Sequence, residues 1–249
     1  MTYASVVAAD APQHWWRLAD PGGLYLHDIG SSPVMILLDS SDTLPYTGQS
    51  ADGGSGLTAP LLKIDSPVRN LVLGTSFSLE VWDWRWDAGI YGVLGLDAGA
   101  GAGAGMRYND ATHILAYFTG GASTAVLLTP AQQTWHHWVM TYDHVNVRTY
   151  FDGVLKDTTA TVATPATPYL VHIGSDRDGT SHFKGNLADA AIYTTVLSGA
   201  RVAAHYAAAD TLTQAPVYGA SRTFDLTASV PGVAGGDLDL ILRSVRKTY

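Results

Sequence analysis

The 249-residue chain contains no cysteine. Neither disulfides nor thiolate metal sites can contribute, and the fold can serve in an oxidising or a reducing compartment. Charge is sparse, at 14% of residues, and basic residues are the minority: 14 Lys and Arg against 22 Asp and Glu, for a formal net charge of −8. Such an acidic surface argues against nucleic acid as the main partner. No apolar run is long enough to cross a bilayer, so membrane insertion is not expected. The opening MTYASVVAADAPQHWWRL lacks a basic stretch followed by an apolar one, and no secretory signal is read there. HExxH, nucleophile-elbow and phosphate-loop motifs are also missing.

What the chain does hold is 47% hydrophobic residues, with 7 Trp, 13 Tyr and 26 Gly. That mixture fits short strands joined by turns around a sizeable core, in one large sandwich or two small domains. Residues Trp135–Lys156 carry the strongest pattern. Trp135, His137, Val139 and Thr141 alternate with His136, Trp138, Met140 and Tyr142, which predicts a strand with both faces partly buried. Val147–Phe151 follows, then Asp152-Gly153, a pair suited to a tight hairpin turn because glycine tolerates positive φ. In Phe77–Trp86, Phe77, Leu79 and Val81 share one face and Trp82, Trp84 and Trp86 the other.

Further strands are expected at His14–Leu18, within Leu24–Asp39, over residues 60–64, and at Leu71–Leu73, Tyr91–Leu96, His113–Phe118, Thr124–Leu128, Tyr169–Ile173 and Leu187–Tyr193. Residues 3–9 read as a short helical or extended lead-in. Residues 40–60 and the alternating Gly/Ala tract Ala98–Gly105 read as loop. One helix is expected over Gly199–Ala208, capped by Ser198, with Val202 and Tyr206 facing the core.

The fold class is therefore all-β: a two-layer antiparallel jelly-roll sandwich over residues 1–210 with one short helix on its C-terminal side. Residues 211–249 form a second region, a β-hairpin appendage of Thr223–Val230 and Asp237–Arg246 around PGVAGG. It carries Arg222, Arg243, Arg246 and Lys247 against Asp225, Asp237 and Asp239, so the acidity resides in residues 1–210. A lone hairpin is marginally stable in water. This one has to pack on the sandwich, a sister subunit or a partner, with Leu238, Leu240, Leu242, Arg243, Arg246 and Lys247 as the docking set.

HWWRL near the start, FSLEVWDW, the WHHWVMTYD…YFDGVL hairpin and HIGSDRDGTSHFKGNLADAAIYTTVLSGARVAAHY follow one another in an order that resembles laminin G-like domains. These belong to the concanavalin A-like lectin/glucanase superfamily, and the likeness spans roughly residues 3–208. The chain departs from that pattern at Asp189-Ala190, where an Asp-Glu pair is usual, at Arg201, where a capping glutamate is usual, and at the early turn Asp28-Ile29-Gly30-Ser31. The opening stretch also resembles the starts of minor tail and other virion proteins of phages that infect actinobacteria. The superfamily resemblance implies a sugar-binding type of fold. It also implies a calcium site in which Asp28 and Asp189 meet at one sandwich edge, the alternative being that both only cap turns. Asp176 and Asp178, in the loop Ser175–Ser181, are a second acidic candidate or simply solvated.

Glu80 and Asp83 could be a glycosidase pair, but residues i and i+3 on a strand point to opposite faces, so a structural Glu80 is expected. His136 and His137 also point apart and cannot chelate one metal together. Trp82, Trp135 and Trp138 are read as core. Trp86 and Tyr91, near a strand end, are the candidates for stacking on a sugar. These readings favour a non-enzymatic virion structural protein, in a capsid decoration or minor tail, carrying a module for cell-surface glycan. Its partners would be virion proteins or sister subunits, and its location the virion. A glycoside hydrolase or a stand-alone extracellular lectin of the same superfamily is the alternative.

Overall fold

The computed structural model describes residues 2–18, 25–33, 36–37, 57–62, 64–65, 71–99, 102–118, 123–160, 170–177 and 181–209. All belong to the first of two units into which the chain divides, Met1–Gly219. The expected C-terminal hairpin, with Leu238, Leu240, Leu242, Arg243, Arg246 and Lys247, lies outside the described residues, as does Asp178. In chain order the elements are α1 (Tyr3–Ala8), β1 (His14–Trp16), β2 (Tyr25–Leu26), β3 (Ile36–Leu37), β4 (Leu57–Leu62), β5 (Ile64–Asp65), β6 (Phe77–Arg85), β7 (Tyr91–Gly99) and β8 (Ala102–Tyr108). They continue with β9 (His113–Phe118), β10 (Ser123–Leu127), β11 (Trp135–Tyr142), β12 (Asn146–Phe151), β13 (Val154–Ala160), β14 (Leu170–Ile173), β15 (Phe183–Tyr193) and α2 (Gly199–Ala208).

A seven-stranded antiparallel sheet runs β1-β15-β6-β11-β12-β13, with β4 also paired to β15. A six-stranded sheet runs β10-β9-β8-β7-β14-β5. The main core lies between the two sheets. Phe77, Leu79, Val81, Trp138, Met140 and Tyr142 enter it from the first sheet, and Leu94, Leu96, Met106, Ile114, Val171 and Ile173 from the second. A second cluster covers the other face of the seven-stranded sheet, where Trp82, Trp84, Trp135 and Val139 pack against Tyr3 and Val7 of α1 and Val202 of α2. With a core on each side, β6 and β11 are buried along their whole length. Full burial of one such apolar side chain is worth about 1.5–3 kcal/mol, which is why these two aromatic-rich strands sit centrally.

The strand alternation is therefore as expected, and the Asp152-Gly153 turn joins β12 to β13 with φ of 51° and 73°. Two positive φ values in a two-residue loop suit the twist of the flanking strands. Several expectations need correction. The lead-in over residues 3–9 takes the helical of its two readings, as α1, so the helices number two among the described residues; the Thr2 side chain caps α1 by accepting from the Ser5 N–H. Leu71–Leu73 forms no strand, although Leu71 and Leu73 are buried, and β4 begins inside the expected loop, at Leu57. On α2, His205 takes the inward position beside Val202, and Tyr206 stays 41% exposed, stacked on Trp82.

The Gly/Ala tract is not a loop. Its described residues complete β7 and open β8. Ala104 and Met106 enter the core, while Gly103 of the tract and Gly92 and Gly95 earlier in β7 make room for the segment Ser175–Arg177 on the sheet's outer face. A Cβ at Gly92 would stand 1.9 Å from the Asp176 nitrogen, and one at Gly95 2.7 Å from the Arg177 nitrogen. Close backbone approach is what offsets the entropy lost in ordering these glycines.

Candidate functional site

Alternation along β6 sends Glu80 towards the helices and Asp83 between the sheets. Glu80 is fully buried, and side chains from four other elements converge on it. Its Oε1 accepts from the Tyr3 hydroxyl at 2.8 Å and lies 2.7 Å from His137 Nε2. Its Oε2 accepts from the Tyr193 hydroxyl at 2.5 Å, and His205 Nδ1 lies 3.0 Å from both oxygens. The other nitrogen of His205 is 2.7 Å from Asp10, which Arg201 grips through Nε and a terminal nitrogen. Burial pushes the Glu80 carboxyl up, but His205 and His137 outweigh it and hold it below the usual carboxylate range. Burial likewise opposes charge on His205, and Glu80 and Asp10 outweigh it, so its pKa is raised. Arg201, at the family's usual glutamate position, is thus the outer end of a relay that fastens both helices to the sheet.

Asp83 is also fully buried and accepts from the Tyr108 hydroxyl through both oxygens, at 3.1 and 2.9 Å. Burial pushes its pKa up to about 7, against the pull of His136, Tyr108 and Arg85. His136, its cross-strand neighbour, sits between Asp152 and the Ala131 carbonyl, each 2.9 Å from a ring nitrogen. His137 lies on the opposite face, stacked on Trp82, so the two histidines point apart as expected.

Asp28 and Asp189 are both held by Trp15 of β1. Asp28 accepts from the Trp15 and Gly30 N–H groups at 2.7 and 2.8 Å and pairs with His14 at 2.6 Å. Asp189 occupies a bulge of β15 at φ 50°, where it pairs with Arg17 at 2.6 Å and accepts from the Trp15 indole at 3.1 Å. Carboxylates engaged in this way supply little of the roughly six to eight oxygens calcium takes. Among the described residues no group of three or more His, Asp or Glu is set to hold a metal ion.

Trp86 and Tyr91 are both half-buried, but they do not share a face. Trp86 packs on the helix-side cluster, while Tyr91 packs on the inter-sheet core, edge-on to Phe183. The Tyr91 hydroxyl donates to Asp87, which Lys184 also holds, at 2.5 Å. Burial and Asp87 push Tyr91 up to about 12.

Asp176 is not solvated. It is buried on the outer face of the six-stranded sheet, paired with Arg107 at 2.7 Å and accepting from the Tyr117 hydroxyl. The next residue, Arg177, lays its guanidinium over the Tyr117 ring, 4.9 Å from the centroid. Sequence reading singled out Asp176 but not its partners Arg107, Tyr117 and Arg177. The trace of that grouping in the sequence is the row of glycines in β7 and β8 on which it rests.

A family model described as the concanavalin A-like lectin/glucanases superfamily (Laminin_G_3) matches residues 62–203. The chain belongs to this family. No curated protein sequence matches it. Among solved structures it is similar to Trypanosoma rangeli sialidase in complex with sialic acid, at 14% identity and TM-score 0.57, covering 80% of this chain and 33% of that one. It is also similar to the botulinum neurotoxin serotype D binding domain, at 10% identity and TM-score 0.59, covering 81% of this chain and 52% of that one. Domain 4 of AbnA, an extracellular arabinanase from Geobacillus stearothermophilus, in complex with arabinotriose, has 15% identity and TM-score 0.47, covering 76% of this chain and 84% of that one. The chain therefore spans about a third of the sialidase and about half of the toxin domain. At these identities the likeness shows the fold alone.

Proposed function

We propose that this chain is a non-catalytic glycan-recognition module of a virion, in a capsid decoration or minor tail, with residues 211–249 docking on the particle or on sister subunits. The observation that carries the non-catalytic part is the placing of Glu80 and Asp83. Glycosidic cleavage needs two carboxyls facing one substrate, about 5–5.5 Å apart for retention and about 6.5–9.5 Å for inversion. Here the two open to opposite sides of one strand, fully buried and occupied by the chain's own donors. The virion part is supported by the opening stretch, with its likeness to the starts of virion proteins, and by the contrast between near-neutral residues 211–249 and the acidic residues before them. Fold alone cannot supply either, since one sandwich hosts many functions.

The test pairs binding with turnover. The purified chain is expected to retain glycans on an array while releasing no reducing ends from them, and antibodies against it to label phage particles. Turnover that disappears in Glu80→Gln would establish the hydrolase reading instead. Particles that never label would remove the virion assignment.

A further inference from the structure

The geometry points to a carboxylate-bearing glycan as the ligand, received by Arg177 on the outer face of the six-stranded sheet. This inference rests on the glycan-recognition reading and names its chemical class. Four of the described arginines, Arg17, Arg107, Arg148 and Arg201, are paired with carboxylates, and Arg85 donates to the Pro130 carbonyl at 2.6 Å. Among the described residues, the Arg177 guanidinium alone meets an aromatic face and no oxygen. In a chain of formal net charge −8, an arginine with no acidic partner among the described residues stands apart.

Its position is built rather than incidental. The Arg177 N–H donates to the Tyr117 hydroxyl at 3.0 Å and to Asp176 at 2.8 Å. Tyr117 in turn donates to Asp176, which Arg107 anchors to β8. Beneath the side chain the sheet carries no Cβ at Gly103, where one would stand 3.1 Å from the Arg177 Cβ and 3.2 Å from its Cδ. The stem is therefore fixed from below and the ring of Tyr117 fixes the head, while the residue as a whole is half-buried and its guanidinium meets no acceptor among the described residues. A guanidinium held this way loses little freedom on binding, and its paired N–H groups match the two oxygens of a carboxylate. Neutral sugars offer no charged acceptor, and the sulfate-bearing glycans of the array separate a carboxylate from a tetrahedral oxyanion that could also meet the fork.

The full chain, Arg177→Ala and Arg177→Lys are applied to an array of uronate-, sialate-, sulfate-bearing and neutral glycans. The strongest carboxylate hit and its methyl ester are then titrated by calorimetry. Binding is expected only to carboxylate glycans, weaker by about tenfold or more in Arg177→Ala, which is the scale of one charge-assisted pair. Arg177→Lys, keeping the charge without the fork, should fall between, and the methyl ester should bind as weakly to the native chain as the acid does to Arg177→Ala. Hits on neutral or sulfated glycans alone, or carboxylate binding indifferent to Arg177, overturn the inference and leave glycan recognition standing. An array without any hit overturns both.

Discussion

Glu80 is a fully buried acid surrounded by donors, and His205 is the residue that makes its pocket sensitive to pH. The Nδ1 of His205 faces Glu80 and its Nε2 faces Asp10. A neutral imidazole has one N–H and could satisfy only one of these carboxylates, so the ring is held as the imidazolium. The groups around it are Tyr3 and Asp10 from α1 and its exit, Glu80 from β6, His137 from β11, Tyr193 from β15 and Arg201 from α2. With its folded pKa raised above the ordinary 6.5, His205 stabilises fully below that pH and loses its contribution as pH rises through the folded value. Glu80, depressed, contributes above its ordinary 4.5 and loses that as pH falls through its folded value. The melting-temperature gap between the native chain and His205→Gln should therefore be widest between pH 4.5 and 6.5 and narrow as pH rises further. Asp83, pushed up to about 7, changes both chains alike and cancels in the gap. A gap that stays flat into the alkaline range would rule out the charged ring. The sequence showed Glu80 on the tryptophan side and Asp83 opposite. Its partners Tyr3, His137, Tyr193 and His205 lie 57 to 125 residues away, so only the strand order and the helix docking bring them in.

Strands that bury one or two regular faces announce themselves by alternation, which is why β6, β11 and the Asp152-Gly153 turn were legible. The β7–β8 hairpin was not. Gly and Ala hardly differ in hydrophobicity, so a period of two written in those residues reads as low complexity. What orders it is the segment Ser175–Arg177 lying on its glycines, a tertiary contact with no local signature. This gives a contrast between two glycines. A Cβ at Gly92 would meet backbone at 1.9 Å, whereas one at Gly74 would find only the Ser76 carbonyl, 4.0 Å away. Gly92→Ala should destabilise by about 1–3 kcal/mol, the scale of forced overpacking, and Gly74→Ala should stay within about 0.5 kcal/mol of the native chain. Urea titration of both variants reads the difference. Equal effects would mean that the segment yields freely and is not seated by the glycines.

At the scale of the molecule, the seven-stranded sheet is a middle layer, with the second sheet on one side and two short helices on the other. This arrangement makes the helices structural members rather than ornaments: α2 closes the second core with Val202, and Ala209 just beyond it joins the same cluster as Trp84 and Trp135. Among the described residues, the elements that build both cores end at Ala209, and the two units of the chain divide between Gly219 and Ala220. A chain ended at residue 210 should then unfold cooperatively, with its midpoint within about 2–4 °C of the full chain, the shift that about 1 kcal/mol makes in a domain of this size. Trp84 and Trp135 report on the same cut, because they belong to the same cluster as Ala209 and are only 6% and 7% exposed. Their fluorescence should keep its wavelength in the shortened chain if residues 211–249 serve the particle. A red shift with loss of cooperativity would mean instead that these residues complete the second core, and the docking role would pass to another surface.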